Sequence, residues 1–491
     1  MRDDFMEHAV AIIIFFIFGA CLGSLTNYFV DCFCWIPRFR SPWRVLPSEF
    51  IERLNSVSFP TERRKKKKRH ENPEHFVKNR FDFVPIIGWL SLSRMGTRLE
   101  LLNESERLPG LESRQFWLRP LFVELFAALG SVWLFVWEVQ QQMLLPEGIT
   151  VRETWETVFL RFCVHLIFFT FLLAASLIDI DDMIIPDALT IPGTVLGLLV
   201  AACFPQTFLP ATEIRNEVVL VSPHETGRNP MESYDIRRTV LPKAVPLNIY
   251  SPNPNPVNTL TLNAVNTPQS QLNSHTGQIK TIFLLSSLWS FWCFAMLYRV
   301  WYLKLPFRKA AAIFCRWLYR SPRTKWLVTA AISGSIFFAV IVLIFPALST
   351  GLLTALTGMA TGMILIWSIR LIGGAVLGRE AMGFGDVTLM GMIGVFLGWQ
   401  SCILIFFLAP FAGLILGILN VMMGRNREFP YGPFLCLATV GLVVAWKPVW
   451  TTMEPVFELG GFIIGAVMVF CFIMFGVLLG LWRKIRDRCI R

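Results

Sequence analysis

Residues Arg161–Gly193 read RFCVHLIFFTFLLAASLIDIDDMIIPDALTIPG. The apolar run over 157–178 meets the roughly 17–25 residues that a membrane-spanning helix needs. It ends in Asp179, Asp181 and Asp182, with Asp187 following after a short apolar stretch. A charged side chain inside a bilayer costs a few kcal/mol or more, so acids at the end of such a run are functional candidates. Outward from this stretch, further apolar runs fall at 9–34, 117–137, 184–204, 281–303, 327–347, 353–377, 387–408, 409–424, 432–447 and 459–481. Hydrophobic residues make up 54% of the 491 and charged ones only 16%, against a usual charged share of about 25%. The expected fold class is all-α, a polytopic transmembrane helical bundle of about 9–11 spans.

The net charge of +11 does not signal a nucleic-acid partner, because of where it sits. Between Arg38 and Arg119 there are eighteen Lys or Arg, with RRKKKKR at Arg63–Arg69, against ten Asp or Glu. More basic residues gather at Arg299–Lys325 and Arg483–Arg491, whereas Glu138–Glu156 and Lys447–Glu458 carry few. The positive-inside rule then places the N-terminus outside and the 36–116 loop, the 304–326 loop and the C-terminus in the cytoplasm. The basic run is a solvated segment that favours anionic lipid. The acidic start, MRDDFMEH, and the lack of a small-residue cleavage site read the first run as a retained helix rather than a removed signal. Eleven cysteines without a CxxC pair read as small apolar side chains.

By composition the chain divides into a first transmembrane helix at 1–35, a basic cytoplasmic loop at 36–116, and transmembrane helices at 117–205. A polar outer loop expected to be disordered follows at 206–280, rich in Asn, Pro, Ser and Thr. Additional transmembrane helices at 281–350, a core at 351–447 and a C-terminal helix with a basic tail at 448–491 complete it.

A second acid stands in GREAMGFGDVTL (Gly378–Leu389), where Asp386 follows Gly383 and Gly385. On this topology Asp179 and Asp386 both come to the inner face. Two carboxylates at one depth suit aspartyl protease chemistry: one ionised acid takes a proton from water while its protonated partner hydrogen-bonds the scissile carbonyl. Gly383 and Gly385 are expected to let backbone approach closely, so that an extended peptide lies beside Asp386. Two other classes stay open. A membrane prenyltransferase would use Asp179, Asp182 and Asp187 to hold Mg²⁺, but it wants a second Asp-rich cluster and Asp386 stands alone. A transporter or non-catalytic assembly protein would place paired acids near mid-membrane between inverted repeats, and no repeat is seen.

The strings DIDDMIIPD and GREAMGFGDVTL resemble the two signature motifs of the type IV prepilin peptidases, the bacterial A24-type GxGD membrane aspartyl proteases. GACLGSLTNYFVDCFCWIPR (Gly19–Arg38), FVPIIGWLSLSRMG, SRQFWLRPLFVELFAAL and FPYGPFL (Phe429–Leu435) are similar to further family segments. The resemblance implies a bundle of the GxGD aspartyl protease type with catalytic Asp179 and Asp386, and Pro186, Asp187, Asp182, Gly383 and Gly385 as supporting motif residues. It implies cleavage of short basic leaders from prepilin or pseudopilin substrates at the cytoplasmic side of the bacterial inner membrane. The peptidase needs no cofactor, while N-methylation of the new N-terminus with S-adenosylmethionine is left open, with its binding residues unassigned. Typical members carry two CxxC pairs in the cytoplasmic loop, the ligand set of a structural zinc. Residues 35–116 contain no cysteine, so no metal is expected.

Several of these residues also have a plainer reading. Asp181 and Asp182 serve as interfacial charges, Asp187 as a helix cap, and Arg379 and Glu380 as surface markers. His165 reads as a packed histidine and PYGPF as a helix entry. Glu124 reads as a buried hydrogen-bonding group between helices, with a part in the active site or in methyl transfer as the alternative.

Overall fold

The computed structural model describes residues 2–34, 43, 49–52, 80–93, 116–145, 154–220, 234–244, 275–296, 307–378, 382–422, 430–458 and 461–489. In chain order the helices begin with α1 (Arg2–Phe33), α2 (Ile87–Leu92) and α3 (Leu118–Leu134, continued by a π-helical turn over Phe135–Gln140). They go on with α4 (Trp155–Asp182) and α5 (Asp187–Cys203), then strands β1 (Pro210–Leu220) and β2 (Tyr234–Ala244). Next come α6 (His275–Ala295), α7 (Phe307–Arg320), α8 (Pro322–Ile344), α9 (Pro346–Leu377) and α10 (Phe384–Leu397). The chain ends with α11 (Trp399–Met422), α12 (Gly432–Val444), α13 (Trp446–Glu458) and α14 (Gly461–Cys489).

The class is all-α and polytopic, with one hairpin added. Among the described residues seven helices are long and apolar enough to cross a bilayer, or up to eight if the α12–α13 pair, bent by 91°, is one span. Two shorter apolar helices, α5 and α10, stand beside these. Helices α5 and α10 have 17 and 14 residues and rise only roughly 25 and 21 Å, short of a hydrocarbon core about 30 Å thick. The run expected to span 387–408 is broken at Gly398, whose φ of 84° is a backbone state that side chains other than hydrogen disfavour. The remainder, with the run expected at 409–424, becomes the single helix α11, which continues through Pro410.

Two loops also differ from expectation. Within 206–280, β1 and β2 pair antiparallel from Pro210↔Ala244 to Leu220↔Tyr234. Thr212, Ile214, Val218 and Val219 facing a segment with Ile236, Thr239 and Val240 supply the β-branched content that strands favour. The 304–326 stretch contains a helix, α7, rather than a loop. The RRKKKKR run with most of the 36–116 loop, residues 245–274, and Arg379 and Glu380 lie outside the described residues.

The chain forms two compact units. The first comprises Met1–Met143, Phe162–Thr190 and Met423–Cys436; the second comprises Leu144–Arg161, Ile191–Met422 and Leu437–Arg491. In the first unit α1 lies against α3 at a small-residue seam. A Cβ on Gly23 would stand 2.5 Å from Glu124 Cα, and one on Gly19 would run into Ser131 Oγ. Ser131 Oγ in turn donates to the Phe15 carbonyl at 2.7 Å. Close backbone approach of this kind replaces the missing hydrophobic drive between helices in lipid.

In the second unit α9 and α10 touch backbone to backbone. A Cβ on either Gly358 or Gly394 would run into the other's carbonyl oxygen, and one on Gly362 would stand 2.5 Å from the Met390 carbonyl oxygen. Every residue of α10 from Asp386 to Leu397 is buried, as expected of a helix apolar all round. Gly394→Val is expected to lower the stability of the purified protein by about 1–3 kcal/mol through overpacking, read as a fall in melting temperature in one fixed detergent.

Candidate active site

In the first unit, Asp179 sits one turn before the end of α4 and is only 4% exposed. Helix α4 stops because Met183 takes a left-handed conformation, φ 54°, with its N–H donating to the Asp179 carbonyl at 2.8 Å. The chain then runs through Ile184 and Ile185 to Pro186, whose carbonyl accepts from Leu189 and Thr190 N–H and so starts α5. The interval between Asp179 and Pro186 is thus the last turn of one helix plus a short link to the next. Asp187 opens α5 as an exposed acid in its first turn, where the helix dipole favours negative charge.

The Asp179 carboxylate is held from a distant part of the chain. Gly432 N–H, at the start of α12, donates to Asp179 Oδ2 at 3.0 Å. The first N–H groups of a helix lack intrahelical partners and point at an anion placed there. Gly432 is required for this approach, since a Cβ at that position would run into Asp179 Oδ2 and stand 2.8 Å from Ile185 Cδ1. The PYGPF string is therefore a helix entry, as read from the sequence, and it also supplies a donor to the acid. Nothing local in the string marks Gly432 as that donor, because the two residues are 253 apart.

The neighbouring acids differ from Asp179. Asp181 accepts a two-pronged ion pair from Arg119, at 2.7 Å and 3.0 Å, which ties the start of α3 to the end of α4. Asp182 is half-buried. In the second unit Asp386 is the third residue of α10 and 7% exposed. Gly383 caps that helix in an extended conformation, and a Cβ there would meet Asp386 Oδ2 at 3.4 Å, an ordinary contact. Thr388 Oγ1 donates to the Gly385 carbonyl at 3.0 Å, and the Arg370 guanidinium lies 5.7 Å from the Phe384 ring centre. Asp179 belongs to the first unit and Asp386 to the second. Among the described residues no group of three or more His, Cys, Asp or Glu is placed to hold a metal ion.

Glu124 is fully buried and saturated. Its Oε1 accepts from Ser24 Oγ at 2.5 Å, Trp89 Nε1 at 2.9 Å and Asn27 Nδ2 at 3.4 Å, and its Oε2 accepts from Ile86 N–H at 2.5 Å. Ile86 itself sits at φ 63°, ψ −57°, the centre of a γ-turn closed by Ile87 N–H on the Pro85 carbonyl at 2.6 Å. That conformation is strained for a β-branched residue, so Glu124 anchors a turn as well as joining α1, α2 and α3. Glu124→Leu leaves four donors behind and is expected to cost about 3 kcal/mol or more; thermal unfolding of the purified variant measures it. His165, the other buried polar residue of interest, contacts Glu138 through Nδ1 at 2.9 Å.

The profile of the Type IV leader peptidase family matches residues 166–219 and 323–418. Similar proteins include the prepilin leader peptidase/N-methyltransferase of Pseudomonas aeruginosa, 35% identical over 112 residues, covering 20% of this chain and 38% of the relative. Those of Aeromonas salmonicida and Stutzerimonas stutzeri are 31% and 34% identical over 87 residues, each covering 17% of this chain and 30% of the relative. The chain thus spans well under half the length of the curated relatives it matches. No solved structure matches it. The profile includes 323–350, which composition set among the additions, and leaves 220–322 unmatched. Asp179 falls in the first matched block and Asp386 in the second, and both signature strings lie inside the blocks that match.

Proposed function

We propose that this multi-pass membrane protein is an aspartic endopeptidase that removes the short basic leader of prepilin-like proteins, with Asp179 and Asp386 as its two acids. The observation that carries the reading is the buried Asp179 carboxylate, oriented by Gly432 N–H, within a family-matched block. Gly432 occupies Oδ2 and leaves Oδ1 for chemistry. In the reaction one ionised aspartate takes a proton from water, whose oxygen bonds to the scissile carbonyl carbon, while the protonated partner donates a hydrogen bond to the carbonyl oxygen. The tetrahedral intermediate then breaks its C–N bond, and the proton passes to the departing amine. The bacterial inner membrane and its cytoplasmic side are the place where leader and site would meet.

The names of these relatives include N-methyltransferase. Glu124, the acid held open for methyl transfer, has both carboxylate oxygens committed to protein donors, so it does not fit as a ligand of S-adenosylmethionine. No other described residue is assigned to that cofactor, and no step is routed through it.

The test is incubation of the purified protein in lipid nanodiscs with a prepilin from the same genome, read by mass spectrometry. Loss of the leader mass is the expected result, and a further 14 Da on the new N-terminus would add methylation. An intact prepilin, with several substrates tried, would overturn the reading.

A further inference from the structure

The segment between the two matched blocks carries its own surface. Helix α7 reads FRKAAAIFCRWLYR, and at 100° per residue its positions sort into two faces. Phe307, Ala310, Ala311, Phe314, Trp317 and Leu318 fall on one face; Lys309, Arg316 and Arg320 fall on the opposite one, with Arg308 at its flank. Arg308, Lys309, Arg316 and Arg320 are all exposed. No Asp or Glu occurs anywhere between Asp235 and Glu380, whereas eight Lys or Arg lie between Arg299 and Lys325. Along this stretch of chain the charge is therefore positive, with no acid in sequence to offset it.

The helix is also fixed at membrane level. Only Ser321 separates it from α8, and Pro322 begins the new helix at its first position, where a missing N–H costs nothing. The stretch Thr324–Ile344 of α8 is a candidate span, so the C-terminal end of α7 stands at a bilayer surface. Helix α8 is anchored in turn, since Trp289 Nε1 of α6 donates to the Ala330 carbonyl at 2.9 Å and Gly334 leaves room for that indole.

We propose that α7 lies in the membrane interface and binds anionic phospholipid headgroups through Lys309, Arg316 and Arg320. A helix with one apolar face and one basic face lies in the interface plane, with the basic face toward headgroup phosphates. Each such residue strengthens attachment to an anionic surface about fivefold. The proposal does not depend on the protease reading.

The test is amide hydrogen exchange of the full chain in nanodiscs, with α9 and α10 as internal reference. Exchange over 307–320 is expected to be about tenfold or more slower in discs holding 30% phosphatidylglycerol than in pure phosphatidylcholine. That protection should disappear in the Lys309→Gln/Arg316→Gln/Arg320→Gln variant, with α10 unchanged. Should the triple variant loosen α10 as well, the single Arg316→Gln variant serves, with a loss of about fivefold expected. Equal exchange in the two lipids, or protection indifferent to the substitutions, would overturn the proposal. So would protection conferred by an added oligonucleotide and not by anionic lipid.

Discussion

Asp179→Asn and Asp386→Asn are each expected to lower the rate of leader cleavage by about 10³-fold, the scale of a lost acid or base in the transition state. Neither should unfold the protein. Asparagine at 179 keeps an oxygen to accept Gly432 N–H, and Asp386 sits in the first turn of α10, where a neutral amide is tolerated. Melting temperatures within a degree or two of wild type, alongside lost cleavage, are the combined expectation. Asp182→Asn should retain most of the activity, because Asp182 is half-buried at the very end of α4 rather than seated on the α12 entry. Loss of cleavage in Asp182→Asn equal to that in Asp179→Asn would move the first acid to the wrong residue.

Gly432→Ala is the second large effect, expected at about 100-fold in rate. The added Cβ falls on Asp179 Oδ2, so either the carboxylate turns away or α12 withdraws, and a displacement of about 1 Å costs on the order of 100-fold in a positioned reaction. Helix propensity works in the opposite direction, since Ala is better than Gly by about 1 kcal/mol inside a helix. Gly441→Ala on the same helix is the matched control. Nothing lies within 4 Å of a Cβ there, and the change should leave cleavage intact while stabilising by about 0.5–1 kcal/mol. Similar rates for the two alanine variants would show that the contact at Gly432 is immaterial.

The parts of this molecule that sequence made legible are those written locally. The end of α4 at Asp182, the restart after Pro186, and the entry of α12 at Gly432 all lie where acids, Pro and Gly punctuate apolar runs. Glu124 was readable as a buried hydrogen-bonding group because a carboxylate inside an apolar run must find donors. Its particular donors were not, since Ser24, Asn27, Ile86 and Trp89 come from segments 35 to 100 residues away. Hydropathy also misjudged α10. A helix buried on every side inside protein and a helix facing lipid are equally apolar, and only Gly398 separated α10 from α11. The basic helix α7 was hidden for the opposite reason: its charge reads as a loop until its residues are placed at helical period.

That Asp179 and Asp386 serve one reaction together is what the proposed function requires. It is tested most directly by single-turnover leader cleavage in nanodiscs for wild type, Asp179→Asn, Asp386→Asn and the double variant. If each acid is needed in the same step, the losses do not add. The double variant should then be within about threefold of the slower single one. A double variant slower by the product of the two single effects, or a single variant retaining more than about a tenth of the wild-type rate, would contradict a shared catalytic pair.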